Sequence, residues 1–256
     1  MIVKFLGTHC LESKNTRLVS LLVDGLLAID TGSLVSELTF TEQSKIKYIL
    51  LSHCHYDHIR GVPAFAFNNS SQITKVLGLS QTLEILASRF MDGVVYPNFG
   101  ASLNFLGKPT LELQPIEPFH TINLEGYQIT AIPVIHPVDT VGFEIDSSEG
   151  QRIFYTGDTG PGLSSIWQYI SPDVLITDVT FPNRLYNIAL ESGHLCPEML
   201  RDELTGFQKS KGYLPKVFIT HIMPEFEPEI REEATLIAKE MVFPLNIPSE
   251  GDELQV

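Results

Sequence analysis

Two spacings of apolar residues alternate along the chain. Short apolar runs bounded by Gly, Pro or Asp read as buried strands at Ile2–Leu6, Arg17–Val23, Leu26–Ile29, Tyr48–Leu51 and Ile73–Leu77. They recur at Leu111–Leu113, Gln128–Ile135, Val141–Ile145, Arg152–Thr156, Val174–Thr177 and Val217–Thr220. Asp24-Gly25 joins the second and third runs as a two-residue hairpin turn. Between the runs the spacing becomes helical. Leu34, Leu38 and Thr41 predict a helix over 33–43, and Ser80 caps one that ends at Phe90, with Leu83, Leu86, Ala87 and Phe90 as its core face. Pro197 suits the first turn of a helix to about Gln208, and Pro228 opens a last one with Ile230, Ala234, Ile237, Ala238 and Met241 on one side. Strands interleaved with helices predict an α/β fold. Residues 91–109 follow neither spacing. Their Gly and Pro residues, with Val94, Val95, Tyr96 and Phe99, predict a lid or binding loop, or else the contact of a homodimer. The tail after about 244 is expected to fray. With no repeat and no linker, residues 1–256 read as one domain of ample length for a core.

One stretch carries chemistry. After the apolar run Tyr48–Leu51 come His53, His55, Asp57 and His58, four metal-ligand side chains within six positions, in the pattern H-x-H-x-D-H. Imidazole nitrogen and carboxylate oxygen suit zinc and neighbouring divalent ions. His53 and His55 are two apart and share one direction in an extended loop. Asp57 and His58, one turn on, point to a second ion. Gly61 and Pro63 then interrupt any strand.

Four further strands end on a single polar residue: His136, Asp158, Asp178 and His221. A lone histidine is more often a hydrogen-bonded core or surface residue than a ligand. Repetition at strand ends, where a rigid element holds the side chain, changes that balance. The simplest assignment places His53, His55 and His136 on one divalent ion and Asp57, His58 and His221 on another. Asp158 bridges them, because a carboxylate spans two ions and an imidazole does not. A water shared by two cations loses a proton near neutral pH and becomes a nucleophile. His194, behind Gly193, is left to touch substrate as a proton donor or hydrogen-bond donor. Asp178 is expected to orient a ligand histidine from behind. Asp30, in Asp30-Thr31-Gly32, reads first as a turn residue bonding nearby amides, and as a lesser alternative as a support behind the metal site. His9 and His120 have no companions.

Composition narrows the partners. With 31 acidic and 17 basic side chains the formal charge is −14, which argues against a sequence-independent nucleic-acid surface. Bound cations reverse the field locally, so anionic substrates stay compatible. Cys10, Cys54 and Cys196 are odd in number and scattered, which predicts no disulfide framework and fits a reducing cytoplasm. Cys54, between two ligands, is expected to point away from the ions. The first ten residues lack the pattern of a secretion signal, and no apolar run reaches membrane-spanning length.

Together, H-x-H-x-D-H, His136, Tyr155-Thr156-Gly157-Asp158-Thr159 and Ile219-Thr220-His221 resemble the metallo-β-lactamase superfamily over nearly the whole chain. The resemblance implies a four-layer αβ/βα sandwich with a dinuclear site, most often zinc, with manganese or iron as alternatives. True β-lactamases of this fold usually lack a histidine where His58 stands and often have cysteine where Asp158 stands. The di-iron members carry an acid in place of His55. Within the superfamily, Gly157-Asp158-Thr159-Gly160-Pro161, Trp167, Phe181-Pro182-Asn183, Gly193-His194-Leu195-Cys196-Pro197 and Thr220-His221-Ile222-Met223-Pro224 resemble the class II 3′,5′-cyclic nucleotide phosphodiesterases. The chain departs from that group at Met223, usually lysine, and at His9-Cys10, usually Gly-Gly. The implied activity is hydrolysis of cyclic AMP or cyclic GMP to the nucleoside 5′-monophosphate by a hydroxide held between the ions. His194 and Asp57 are then the catalytic side chains. Alternatives with the same chemistry are a tRNA 3′-processing endonuclease, whose basic clamping arm is missing here, and a thioester or lactone hydrolase. A non-catalytic metal sensor is the remaining contrast.

Overall fold

The computed structural model describes residues 1–69, 72–100 and 109–256. Among these, two seven-stranded sheets lie face to face. The first has the order β14-β1-β2-β3-β4-β5-β6, from β1 Ile2–Gly7, β2 Ser20–Val23, β3 Leu27–Ile29, β4 Tyr48–Leu50, β5 Thr74–Gly78, β6 Leu111–Pro115 and β14 Glu253–Gln255. The second has the order β13-β12-β11-β10-β9-β8-β7, from β7 Thr121–Leu124, β8 Tyr127–Pro133, β9 Val141–Asp146, β10 Arg152–Tyr155, β11 Val174–Asp178, β12 Lys216–Thr220 and β13 Leu245–Asn246. β3 to β6 run parallel, as do β10 to β13, so their carboxyl ends gather along one rim.

The continuous apolar runs follow from burial on both faces of each sheet. Side chains alternate across a strand. In β2, Leu21 and Val23 face the second sheet and Leu22 faces the outer helices. In β10, Ile153 and Tyr155 face inward while Phe154 packs against the opposite helical layer. Three apolar clusters therefore separate four layers, helix–sheet–sheet–helix, which is the expected αβ/βα sandwich.

Three local expectations change. The helix over 33–43 is two short turns, Leu34–Glu37 and Phe40–Gln43, broken where Leu38 turns extended. Thr39 opens the second turn with a capping box to Glu42, which satisfies orphan backbone groups better than continuing the first turn. Ser80 does not cap its helix; it is the first residue of Ser80–Ile85, behind Leu79, and makes no side-chain cap bond. Gly61 and Pro63 interrupt the strand as expected, and Gly61 begins helix Gly61–Asn68 pressed against Thr31, where a Cβ would lie 2.1 Å from the Thr31 carbonyl oxygen. The tail after 244 is built in rather than frayed, because β13 extends the second sheet and β14 pairs antiparallel with β1, burying Leu254. In the 91–109 segment, Met91 and Phe99 enter the core while Val94 and Val95 are exposed; residues 101–108 of that expected lid lie outside the described residues.

Candidate metal centre

The rim formed by the parallel strand ends collects the polar residues singled out above. β4 leads into the extended residues 51–55, and a single helical turn, Tyr56–Ile59, then presents Asp57 and His58. His136 sits in the β8–β9 connection, Asp158 three residues beyond β10, Asp178 at the end of β11 and His221 directly after β12. The turn from β10 to Asp158 depends on Gly157, whose φ is +63° and whose added Cβ would sit 2.9 Å from the Ser52 Cβ. His221 itself has φ +58°, a costly conformation for a non-glycine residue that its side-chain bonds must offset.

The other six predicted ligands converge on Asp158. His53, His55, His136 and Asp158 form one group and Asp57, His58, His221 and Asp158 a second, with candidate ligand atoms within 4.8 Å of one another in each. Asp158 Oδ2 lies 3.6 Å from His53 Nε2, 3.9 Å from His136 Nε2 and 3.3 Å from His221 Nε2. Its Oδ1 lies 3.2 Å from His58 Nε2. Asp57 Oδ2 is 3.4 Å from His58 Nε2 and 3.3 Å from His221 Nε2, and His55 Nδ1 is 3.2 Å from His136 Nε2.

The outer nitrogens of these rings are already taken. His58 Nδ1–H donates to Asp30 Oδ2 at 2.8 Å, and His53 Nδ1–H donates to Ser52 Oγ at 3.0 Å. His136 Nδ1–H donates to the Gly193 carbonyl at 2.9 Å and His221 Nδ1–H to Thr180 Oγ1 at 2.8 Å. Each partner fixes a tautomer that leaves the Nε2 lone pair facing inward. Of these inward atoms, the buried His53 Nε2, His58 Nε2 and Asp158 Oδ1 have no hydrogen-bond partner. A buried polar atom without a partner costs about 1–3 kcal/mol. Two groups of imidazole and carboxylate donors that share one carboxylate are a donor set that suits divalent cations. For His53 the electrostatics agree, while for His58 burial lowers the imidazole but the Asp158 and Asp30 carboxylates prevail and raise it well above its usual range. Burial pushes the His53 imidazole well below its usual range, towards the neutral form a ligand requires. Burial raises the Asp158 carboxyl, but the His221 and His58 charges outweigh it and hold the group well below its usual range.

The reading of Asp30 as a turn residue is corrected. It is fully buried at φ +53° and accepts from the Ser52 amide at 2.9 Å, Tyr155 Oη at 2.8 Å, the Ser52 hydroxyl and His58. It therefore anchors both halves of the histidine loop from below. The missed signal was the one used elsewhere, an apolar strand (Leu27–Ile29) ending on a carboxylate. Asp178 accepts from His194 Nδ1–H at 2.6 Å and from Thr180 Oγ1–H at 2.7 Å, so it reaches His221 only through Thr180. Ser52, Tyr155 and Thr180 gave no sequence signal, being common core polar residues without charge.

His194 stands beside the two groups. Its ring stacks on His221 at 5.0 Å between centroids and lies 5.1 Å from that of His136. Gly193 makes this approach feasible, with φ +73° and a position where a Cβ would meet Pro137 Cδ at 2.5 Å. Burial lowers the His194 imidazole, but the Asp178 carboxylate prevails and raises it to about 9. His9 is buried against Glu250 and Glu227, its backbone bridged to Ile222 beside His221, and Cys10 Sγ contacts Met223 Sδ at 3.9 Å. His120 is exposed.

Comparisons with known proteins follow the same lines. The sequence model of the Beta-lactamase superfamily domain matches residues 23–215. A probable 3′,5′-cyclic-nucleotide phosphodiesterase of Yersinia pestis is 26% identical over 228 residues, covering 79% of this chain and 65% of that protein, just under two thirds of its length. A 3′,5′-cyclic-nucleotide phosphodiesterase of Aliivibrio fischeri is 25% identical over 272 residues, covering 91% of this chain and 81% of its own. A ribonuclease Z of Sulfurisphaera tokodaii is 25% identical over 180 residues, covering 54% of this chain and 59% of its own. Among solved structures, unliganded yeast PDE1 superposes with a TM-score of 0.84 at 15% identity, over 100% of this chain and 99% of that one, a likeness of fold.

Proposed function

The chain belongs to the beta-lactamase superfamily, and from that premise we propose that it is a metal-dependent phosphodiesterase that hydrolyses 3′,5′-cyclic nucleotides to nucleoside 5′-monophosphates. His53, His55 and His136 would hold one divalent cation and Asp57, His58 and His221 a second, with Asp158 between them; zinc, manganese and iron all suit the donors. When bound, two such cations acidify a shared water and neutralise charge on the phosphoryl oxygens.

The chain's own groups do the rest. Asp57, with its side chain 25% exposed against 2% for Asp158, is the more open carboxylate and would take the proton that the attacking water gives up. His194, held by Asp178 through Nδ1, presents Nε2–H to the departing 3′-oxygen and protonates it. Asp178 keeps that ring in its donating tautomer and favours its charged form. Asp30, Ser52 and Gly193 fix the ligand rings.

The observation that carries the proposal is the convergence of six candidate ligand side chains on Asp158 with His194 alongside and separately anchored. The names of the Yersinia and Aliivibrio relatives support the substrate class. The ribonuclease Z match keeps a tRNA 3′-end nuclease as the second reading, against which stands the −14 charge. Metal-loaded protein is expected to cleave cyclic AMP or cyclic GMP and bis(p-nitrophenyl) phosphate. Cleavage of none of the three would refute the phosphodiesterase assignment, and salt-sensitive binding of precursor tRNA would favour the nuclease.

A further inference from the structure

A cavity of about 490 Å³ adjoins the ligand cluster on its His136 side. It forms where β5 and β6 end and the β8–β9 connection crosses over them, and His136 is part of its wall. Its volume falls in the range of small-molecule sites, about 300–1,000 Å³. Seven of its thirteen lining residues are apolar, Leu79, Ile116 and Val141 among them, and Ser80, Gln81 and Thr140 add neutral polar groups. The charged groups on its wall are two exposed carboxylates, Glu117 and Asp139, from different segments. Among the described residues that line it there is no lysine or arginine, so the cavity is not built for a phosphate. A planar, neutral group with hydrogen-bond donors on its edge fits better.

The two purines differ on that edge. Guanine presents the N1–H and an N2 amino hydrogen side by side, and a carboxylate, which only accepts, takes both. Adenine presents one amino group beside the N1 lone pair, which a carboxylate oxygen repels. We propose that this cavity is the base subsite and that Glu117 and Asp139 make it select guanine over adenine. This rests on the phosphodiesterase reading, because His136 ties the cavity to the place where the phosphate would be held.

The test compares kcat/KM for cyclic GMP and cyclic AMP in metal-loaded wild type, Glu117→Gln, Asp139→Asn and the double variant. Cyclic GMP is expected to be favoured by about tenfold, the scale of a charge-assisted hydrogen bond lost or kept. An amide offers adenine a donor for N1 and an acceptor for its amino group, so the double variant should erase or invert the ratio through KM. A purely structural role would lower both substrates together and leave the ratio alone. Equal use of both substrates by wild type, or a ratio untouched by either variant, overturns the proposal. Wild-type cleavage of bis(p-nitrophenyl) phosphate with a flat ratio removes the base subsite and leaves the phosphodiesterase standing. Should no phosphodiester be cleaved, calorimetric titration with guanosine and adenosine still decides: selective guanosine binding supports the cavity, and equal or absent binding sinks it.

Discussion

Replacing Asp30 by asparagine changes one atom and should weaken one of the two proposed cation positions. Asp30 Oδ1 accepts from the Ser52 amide at 2.9 Å, which obliges an asparagine to keep its oxygen on that side. The amide nitrogen then occupies the place of Oδ2, facing Tyr155 Oη and His58 Nδ1, each now at 2.8 Å. Tyr155 can rotate its hydroxyl hydrogen away and accept instead. His58 cannot keep a proton on Nδ1 against an N–H donor, so the ring shifts to the tautomer with the proton on Nε2. That nitrogen is the one aimed at Asp158 Oδ1, 3.2 Å away, and once protonated it cannot bind a cation. The cost is one charge-assisted hydrogen bond, about 1.5–3 kcal/mol, or roughly 10–100-fold in affinity. Chelator competition on Asp30→Asn should therefore give one equivalent of normal affinity and one weakened by that factor. His58→Ala, which removes the ligand itself, sets the lower limit and should lose one equivalent and most activity. Circular dichroism checks that the variant is folded. Two equivalents bound as tightly as in wild type by folded Asp30→Asn would refute the tautomer argument.

Other expectations follow from the same geometry. His194→Ala should keep both cations and slow turnover by about 10²–10⁴-fold, the usual worth of a positioned proton donor; loss of a cation in that variant would show His194 to be a ligand. Removing divalent ions with a chelator should lower the melting temperature, since ions at 100 times their dissociation constant stabilise by about 2.7 kcal/mol, and scanning calorimetry with and without added zinc measures the difference. His9, whose backbone bridges to Ile222, predicts a pH effect carried by its own side-chain partners. Burial lowers its imidazole, but hydrogen bonds to Glu250 and Glu227 win and raise it above 6.5. A raised histidine stabilises fully below its unfolded value of 6.5 and loses that contribution as pH climbs through the folded value. Urea titrations should show wild type losing its margin over His9→Gln as pH rises through that window, and a constant margin would count against the ion pairs.

The ligand set was legible because it repeats. Four chemistry-bearing residues in His53–His58 are visible in any window, and the apolar runs before His136, Asp158 and His221 announce where each side chain emerges. Asp30 carried the same mark, but the adjoining Thr31-Gly32 drew it into a turn. Thr180 and Tyr155 were beyond reach, since their roles depend on partners 41 and 125 residues away. The break at Leu38 was readable in principle from Thr39 and Glu42. The pairing of β14 with β1 was not, because Glu253–Gln255 is short and matches Ile2–Lys4 across almost the full length of the chain.

The histidine loop hangs from the first sheet, while His136, Asp158 and His221 hang from the second. Ions seated among them would rivet the two layers together at one rim, just beyond the apolar filling that glues their faces. Prying the layers apart would then require releasing the ions first, so metal occupancy should slow unfolding itself and not merely shift its equilibrium.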